Sequence, residues 1–136
     1  MTVQTSEIEV RTNERYEFVS ITEEVRRAVR ESGVEEGYCV ISSTHTTAAV
    51  TINEDHDPDV PLDLAAACRA LINELGVRFE HAEGNSDSHL LASLFGQSQR
   101  LLVHGSEPDL GRWQGVFLAE FDGPRSRAVR VAVYPA

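Results

Sequence analysis

The 136-residue chain has no lysine: all twelve of its strong cations are arginines. That absence excludes Schiff-base lysine chemistry and any phosphate loop built on lysine. An anion must instead be met by arginine, protonated histidine or backbone N–H groups. Long apolar runs are also missing, and none approaches the ~20 residues that span a bilayer. The start, Met1-Thr2-Val3-Gln4-Thr5-Ser6-Glu7, lacks the basic and apolar parts of a signal peptide, so the cytoplasm is the expected compartment. The two cysteines, Cys39 and Cys68, lie far apart in apolar surroundings and are read as buried thiols. Neither has a basic neighbour in sequence, so a cysteine nucleophile has no support. Signatures such as GxSxG, or GxGxxG after a strand, are absent.

What is present begins with acid. Twenty-two acidic residues against twelve arginines leave a net charge of −10. This is first a solubility feature, and it disfavours nucleic acid and anionic membranes as partners. Hydrophobic content of 41% is ordinary for a globular chain, and the length suits one domain, residues 1–136, with its own core.

Periodicity gives the elements. Residues 3–11 alternate as a half-buried strand, with Ile8 and Val10 inward and Glu7 and Glu9 outward. Tyr16-Glu17-Phe18-Val19 reads as a second strand. Thr22 is placed as the N-cap of a helix closed by Gly33. Nothing in these residues indicates chemistry. Residues 38–43 and 48–52 are strands flanking a polar run in which Ser43, His45 and Thr47 are expected to share a face. Asp57 or Asp59 is expected to cap a helix from Leu62 to Leu75, with Leu64, Cys68, Leu71 and Leu75 as its apolar stripe. Val77-Arg78-Phe79 is expected as a short strand. A helix from Asp87 to Phe95 follows. The remaining strands are expected over 98–104, 112–121 (alternating about Trp113, Gly115, Phe117, Ala119 and Phe121) and 128–134.

Two constellations carry candidate chemistry. His81-Ala82-Glu83-Gly84-Asn85-Ser86-Asp87-Ser88-His89 holds too many polar groups to be buried unpaired, at roughly 1–3 kcal/mol each. A bend at Gly84 would set His81 and His89 near each other at a helix N-terminus that favours an anion. With His45 they would give three imidazoles suited to Zn or another first-row ion. The competing readings are polar site residues without metal, and structural histidines. The second constellation, Glu120-Phe121-Asp122-Gly123-Pro124-Arg125, reads as a charged hairpin turn. Alternatively Arg125 grips a phosphate while Glu120 and Asp122 act as acid/base or cation-binding groups. Trp113 with Gln114 is most simply a core or interface aromatic beside an amide.

Several stretches together resemble the YjbQ-like proteins. They are His45-Thr46-Thr47-Ala48-Ala49, Thr51-Ile52-Asn53-Glu54, Asp57-Pro58-Asp59-Val60, the segment from His81 to His89, Gly111-Arg112-Trp113-Gln114-Gly115, and Glu120 through Arg125. They run in family order over most of the chain. The resemblance implies a compact α+β domain, mostly antiparallel sheet with about three helices, assembled as a homotrimer. It implies a metal-associated site and a secondary thiamine-phosphate synthase activity. That reaction joins hydroxymethylpyrimidine diphosphate to a thiazole phosphate and releases pyrophosphate. Carried over residue by residue, the acting groups are His45, His81, Glu83, His89, Glu120 and Asp122. Those for a small phosphorylated metabolite are Thr46, Thr47, Asn53, Gly84, Asn85, Asp87, Trp113, Gln114 and Arg125. A divalent ion (Zn, Ni or Mn) is expected at His45, His81 and His89, with Mg for a phosphate substrate. Arg112 stands where the family usually has threonine, and Leu91 where it usually has lysine. The alternatives are a metal-dependent hydrolase using a histidine-bound water, and a non-catalytic trimeric binder of metal or metabolite.

Overall fold

The computed structural model describes residues 2–136. In chain order the elements are β1 (Gln4–Arg11), β2 (Glu17–Ser20), α1 (Thr22–Ser32), β3 (Glu36–Ser43), β4 (Ala48–Glu54), α2 (Asp59–Glu74), α3 (Ser86–Phe95), β5 (Ser98–His104), β6 (Glu107–Pro108), β7 (Gln114–Glu120) and β8 (Ser126–Pro135). They form two antiparallel sheets, β1-β8-β3-β5-β6 and β2-β7-β4. The expected α+β domain is what the chain forms.

The alternation in the sequence explains the layering. Ile8 and Val10 of β1, Cys39 and Ile41 of β3, and Val129, Val131 and Val133 of β8 all point inward. They meet Val50, Val116 and Leu118 of the smaller sheet and Val25 and Val29 of α1. On its other face the smaller sheet carries Phe18, Ala49, Phe117 and Ala119 against Ala65 and Cys68 of α2 and Leu91 and Ala92 of α3. Each buried Val, Leu, Ile or Phe contributes about 1.5–3 kcal/mol of transfer free energy. The five-stranded sheet, the three-stranded sheet and the α2/α3 layer therefore enclose two cores.

β7 departs from the expected alternation. Gly115 to Glu120 are all buried, because this central strand has a core on each side. Asp122-Gly123 also differs from the expected hairpin. β7 and β8 lie in different sheets, so the turn carries the chain between layers. Helix α2 starts three residues before Leu62. Its first turn is steadied by Asp57, whose carboxylate accepts the Asp59 N–H at 2.9 Å. Leu71 and Leu75, expected in its buried stripe, are exposed. Thr22 is the first residue of α1 rather than its cap; its hydroxyl donates to Asp55 and accepts the Val116 N–H. Val77-Arg78-Phe79 forms no strand, because no strand among the described residues pairs with it, and residues 75–84 are exposed throughout.

Candidate functional site

The segment from His81 to His89 folds as a bend into α3. Gly84 adopts φ of 69°, and its N–H donates to the His81 carbonyl at 3.1 Å. Ser86 then begins the helix. The bend brings the His81 and His89 rings to 5.6 Å between centroids at an interplanar angle of 71°. Glu83 lies 4.0 Å from His81 Nε2 and is largely exposed.

Beside this bend sits a network of charges. Asp122 and Asp87 are each only 13% exposed at the side chain. Arg15 reaches both Asp87 oxygens, at 3.0 and 3.1 Å, and Asp122 at 3.4 Å. Arg125 donates to the Asp122 carbonyl at 2.8 Å and its carboxylate at 3.1 Å. The Asn85 amide donates to Asp122 at 2.9 Å. Asn85 stands at the N-cap position of α3 but makes no capping bond: its Nδ2 is held by Asp122, and its buried Oδ1 accepts no hydrogen bond among the described residues. The Tyr16 hydroxyl donates to Asp87. Burial alone would raise the Asp87 carboxyl, but the bonds from Tyr16 and Arg15 outweigh it and hold it below the usual carboxylate range. Burial, reinforced by the hydrogen bond to Asp87, pushes the Tyr16 phenol well above its ordinary value.

Arg15 and Tyr16 are site residues that no local signal in the sequence marks. They sit in a turn and at a strand start, and their partner Asp87 lies 72 and 71 residues away.

Glu120 takes a different part from the acid/base role expected of it. It is fully buried and held by Arg127, itself 3% exposed. Thr12 donates to it at 2.7 Å and the Asp122 N–H at 3.0 Å. Arg127 also donates to the Thr47 hydroxyl at 2.9 Å. Glu120 is thus a positioning residue that sets the loop carrying Asp122, and Thr47 belongs to the same buried pair.

His45 does not join the other two histidines. Its Nε2 accepts the Ala128 backbone N–H at 2.9 Å, and it lines a cavity of about 450 Å³ with Glu7, Glu9, Ser126, Arg127 and Ala128. A backbone N–H can only donate, so Nε2 carries the lone pair and Nδ1 the proton. Neither nitrogen of that ring is free to bind metal. Burial, then the field of Arg127, lowers its pKa. Ser43 accepts the His45 N–H at 3.2 Å, which turns the run away from the extended conformation expected of it.

Asn53, Trp113 and Gln114 stand at the far end of the small sheet. Asn53 pairs with Gly115, whereas Ala48 pairs with Glu120. The two ends of these strands are about 20 Å apart by strand rise. There Gln114 accepts the Gly111 N–H at 2.7 Å and Trp113 packs on His56, with ring centroids 4.6 Å apart. Thr46 is exposed at the His45 end. The single chain therefore gathers His81, Glu83, Gly84, Asn85, Asp87, His89, Asp122 and Arg125 at one place, and holds Asn53, Trp113 and Gln114 apart from them. No group of three His, Cys, Asp or Glu among the described residues can hold a metal ion.

Residues 6–136 match the family described as UPF0047 protein YjbQ-like. The chain belongs to that family. UPF0047 protein MJ1081 of Methanocaldococcus jannaschii is 46% identical over 125 residues, covering 92% of this chain and 90% of that one. UPF0047 protein YugU of Bacillus subtilis is 38% identical over 88% of this chain and 91% of its own. The crystal structure of a YbjQ-like protein of unknown function from Sulfolobus solfataricus P2 superposes with a TM-score of 0.91, at 31% identity over 98% of each chain. The UPF0047 likeness thus spans the whole fold, including the His81–His89 bend and the Asp122 loop.

Proposed function

We propose that this YjbQ-like protein is an enzyme acting on a small phosphorylated metabolite, with transfer chemistry of the thiamine-phosphate synthase type as one of its activities. The observation that carries the reading is the convergence of Arg15 and Arg125 on Asp122 beside the N-terminus of α3. Both guanidinium groups are about half exposed. Each has five N–H donors, more than its carboxylate partners use. Together with the free N–H groups of the helix start they suit phosphate oxygens. Asp87 and Asp122 fix where the arginines point. His81 and His89, at the same end, are placed to give or take a proton at the leaving oxygen.

A divalent ion would be held in part by the same bend. Two imidazoles sharing one tetrahedral ion have centroids about 5 Å apart by Zn–N geometry, close to the 5.6 Å between His81 and His89. Such an ion would supply charge for the departing phosphate or polarise a water. The chain offers only half a donor set, so the rest must come from substrate oxygens or a second copy. That spacing is also what favours the second reading, a metal-dependent hydrolase.

The functional unit in this proposal is a homotrimer. Two unlike apolar surfaces stand uncovered: Tyr38 and Leu102 on the outer face of the large sheet, and Leu71, Leu75, Val77, Phe79 and Leu94 on the helical side. Unlike patches that meet head to tail close into a ring when the rotation between copies divides a full turn, and a third of a turn gives a trimer.

The deciding assay is thiamine phosphate formation from both precursors with Mg²⁺. Arg125→Ala and His81→Ala are expected to lower the rate by about 10²-fold or more, the scale of losing an anion contact or a proton-transfer group. A rate that neither variant changes removes the transferase reading. Metal analysis of untagged protein addresses the hydrolase: bound Zn, Ni or Mn that survives His89→Ala excludes the bend as its site.

A further inference from the structure

β1 is the first strand of the five-stranded sheet and, among the described residues, pairs only with β8. Its other edge leaves a row of backbone N–H and C=O groups unpaired over an eight-residue strand. Two adjoining cavities of about 290 and 190 Å³ run along that edge beneath α1. Together they extend from Gln4 to Glu9 on the strand and from Glu24 to Ser32 on the helix, with Ala28 common to both. A free strand edge beside a helix is the geometry that receives an extended peptide as an added strand. Such a strand lies about 4.8 Å from its neighbour and sends alternate side chains to opposite faces.

The groove also selects the occupant. Glu7, Glu9, Glu24 and Glu31 line it against the single cation Arg27. Acidic side chains on an edge strand ordinarily block pairing. Here they repel any acidic strand, including a second β1, which would set Glu7 and Glu9 against their own counterparts. A strand with basic residues meets no such barrier. On its outer side its cations would face Glu7 and Glu9, and on the helix side small residues would lie over Ala28 between Glu24 and Glu31.

We infer that the free edge of β1 and the groove beneath α1 dock an extended segment of a partner protein that carries Arg or Lys at alternate positions. The groove shares no lining residue with the His81–His89 bend or with Arg15, Asp87, Asp122 and Arg125, so the inference does not rest on the proposed catalysis. It also shares no residue with the two apolar patches of the proposed trimer.

The probe is a capped octapeptide of alternating Arg and Val, titrated into isotope-labelled full-length protein and followed by NMR. The expected result is shifts confined to residues 4–9 and to the groove side of α1. Methylating alternate peptide nitrogens keeps the charge but removes strand pairing, and should abolish those shifts. Replacing both Glu24 and Glu31 by Gln, neither of which makes a side-chain hydrogen bond or ion pair among the described residues, should weaken binding about tenfold. The inference is overturned if the methylated peptide binds equally well, since plain charge attraction would then suffice. It is likewise overturned if residues 4–9 do not shift, or if the protein alone associates through β1.

Discussion

Because the Ala128 N–H can only donate, the His45 ring that receives it must stay neutral, and protonation at Nε2 would break the bond that ties the β3–β4 turn to β8. The folded pKa lies below the ordinary value of 6.5, through burial first and then the nearby Arg127. A base whose folded pKa is depressed contributes fully above its unfolded pKa, and the contribution is lost as pH falls through the folded value. Stability should therefore decline as pH drops below about 6.5. His45→Gln, which keeps an acceptor that cannot titrate, should flatten that part of the profile. Urea melts of both proteins between pH 7 and pH 5 measure it, and parallel profiles would disprove the assignment. Long-range proton–nitrogen NMR should find Nε2 unprotonated. Glu120 offers a second test. Removing one partner of a buried ion pair costs about 3–5 kcal/mol. Glu120→Gln should lose stability on that scale, whereas a group merely lining a site would lose under about 0.5 kcal/mol. The sequence brought out Glu120 as chemistry because a carboxylate beside Asp-Gly reads as exposed. Its burial depends on Arg127 in the next strand and on Thr12, 108 residues away. Arg15 and Tyr16 escaped notice for the same reason, since ion pairs across 70 residues leave no local periodicity.

Among the elements, those legible in advance are those whose side chains face one core and one solvent layer. β1 and β8 alternate in sequence and in burial, and α1 buries Val25 and Val29 at helical spacing. β7 breaks the rule, since a strand between two cores has no polar face for alternation to reveal. The opposite failure is 77–79, expected as a short strand although no strand among the described residues pairs with it. Where β7 enters the sheet, its packing makes a prediction. A Cβ at Gly115 would lie 2.3 Å from the Asp55 Cβ and 2.6 Å from the Thr22 hydroxyl. Asp55 is not free to withdraw, because Ser20 and Thr22 both donate to it at 2.6 Å. Those bonds tie the end of β4 to the start of α1. Gly115→Ala should thus cost at least the ~1–3 kcal/mol of ordinary overpacking. Amide exchange at the first turn of α1 should quicken with it. A melting temperature within a degree or so of wild type would show that the junction yields freely.

At the scale of the molecule, the surface holds more exposed apolar side chains than the isolated fold explains. Leu71 is 63% exposed and Leu94 71%, and Val77 and Phe79 project from a segment that no strand pairs with. His81 belongs to that same segment, and with His89 it provides only part of a donor set. The site and the apolar patch are therefore incomplete at the same place, which is the arrangement expected if a neighbouring copy covers both. Replacing Leu75 and Phe79 together by Glu separates this arrangement from a monomer with an idle patch. In the lone chain these side chains are 45% and 40% exposed, so the new charges remain in water and the fold should melt within about 0.5 kcal/mol of wild type. In a trimer they would be carried into an apolar contact, where an unpaired charge is strongly disfavoured. Sedimentation should show wild-type protein as trimers and the double variant as folded monomers. If the third metal donor comes from the neighbour, the variant should also lose bound metal although His81 and His89 are untouched. A wild-type protein that sediments as a monomer would refute the arrangement, and so would a double variant that remains a trimer.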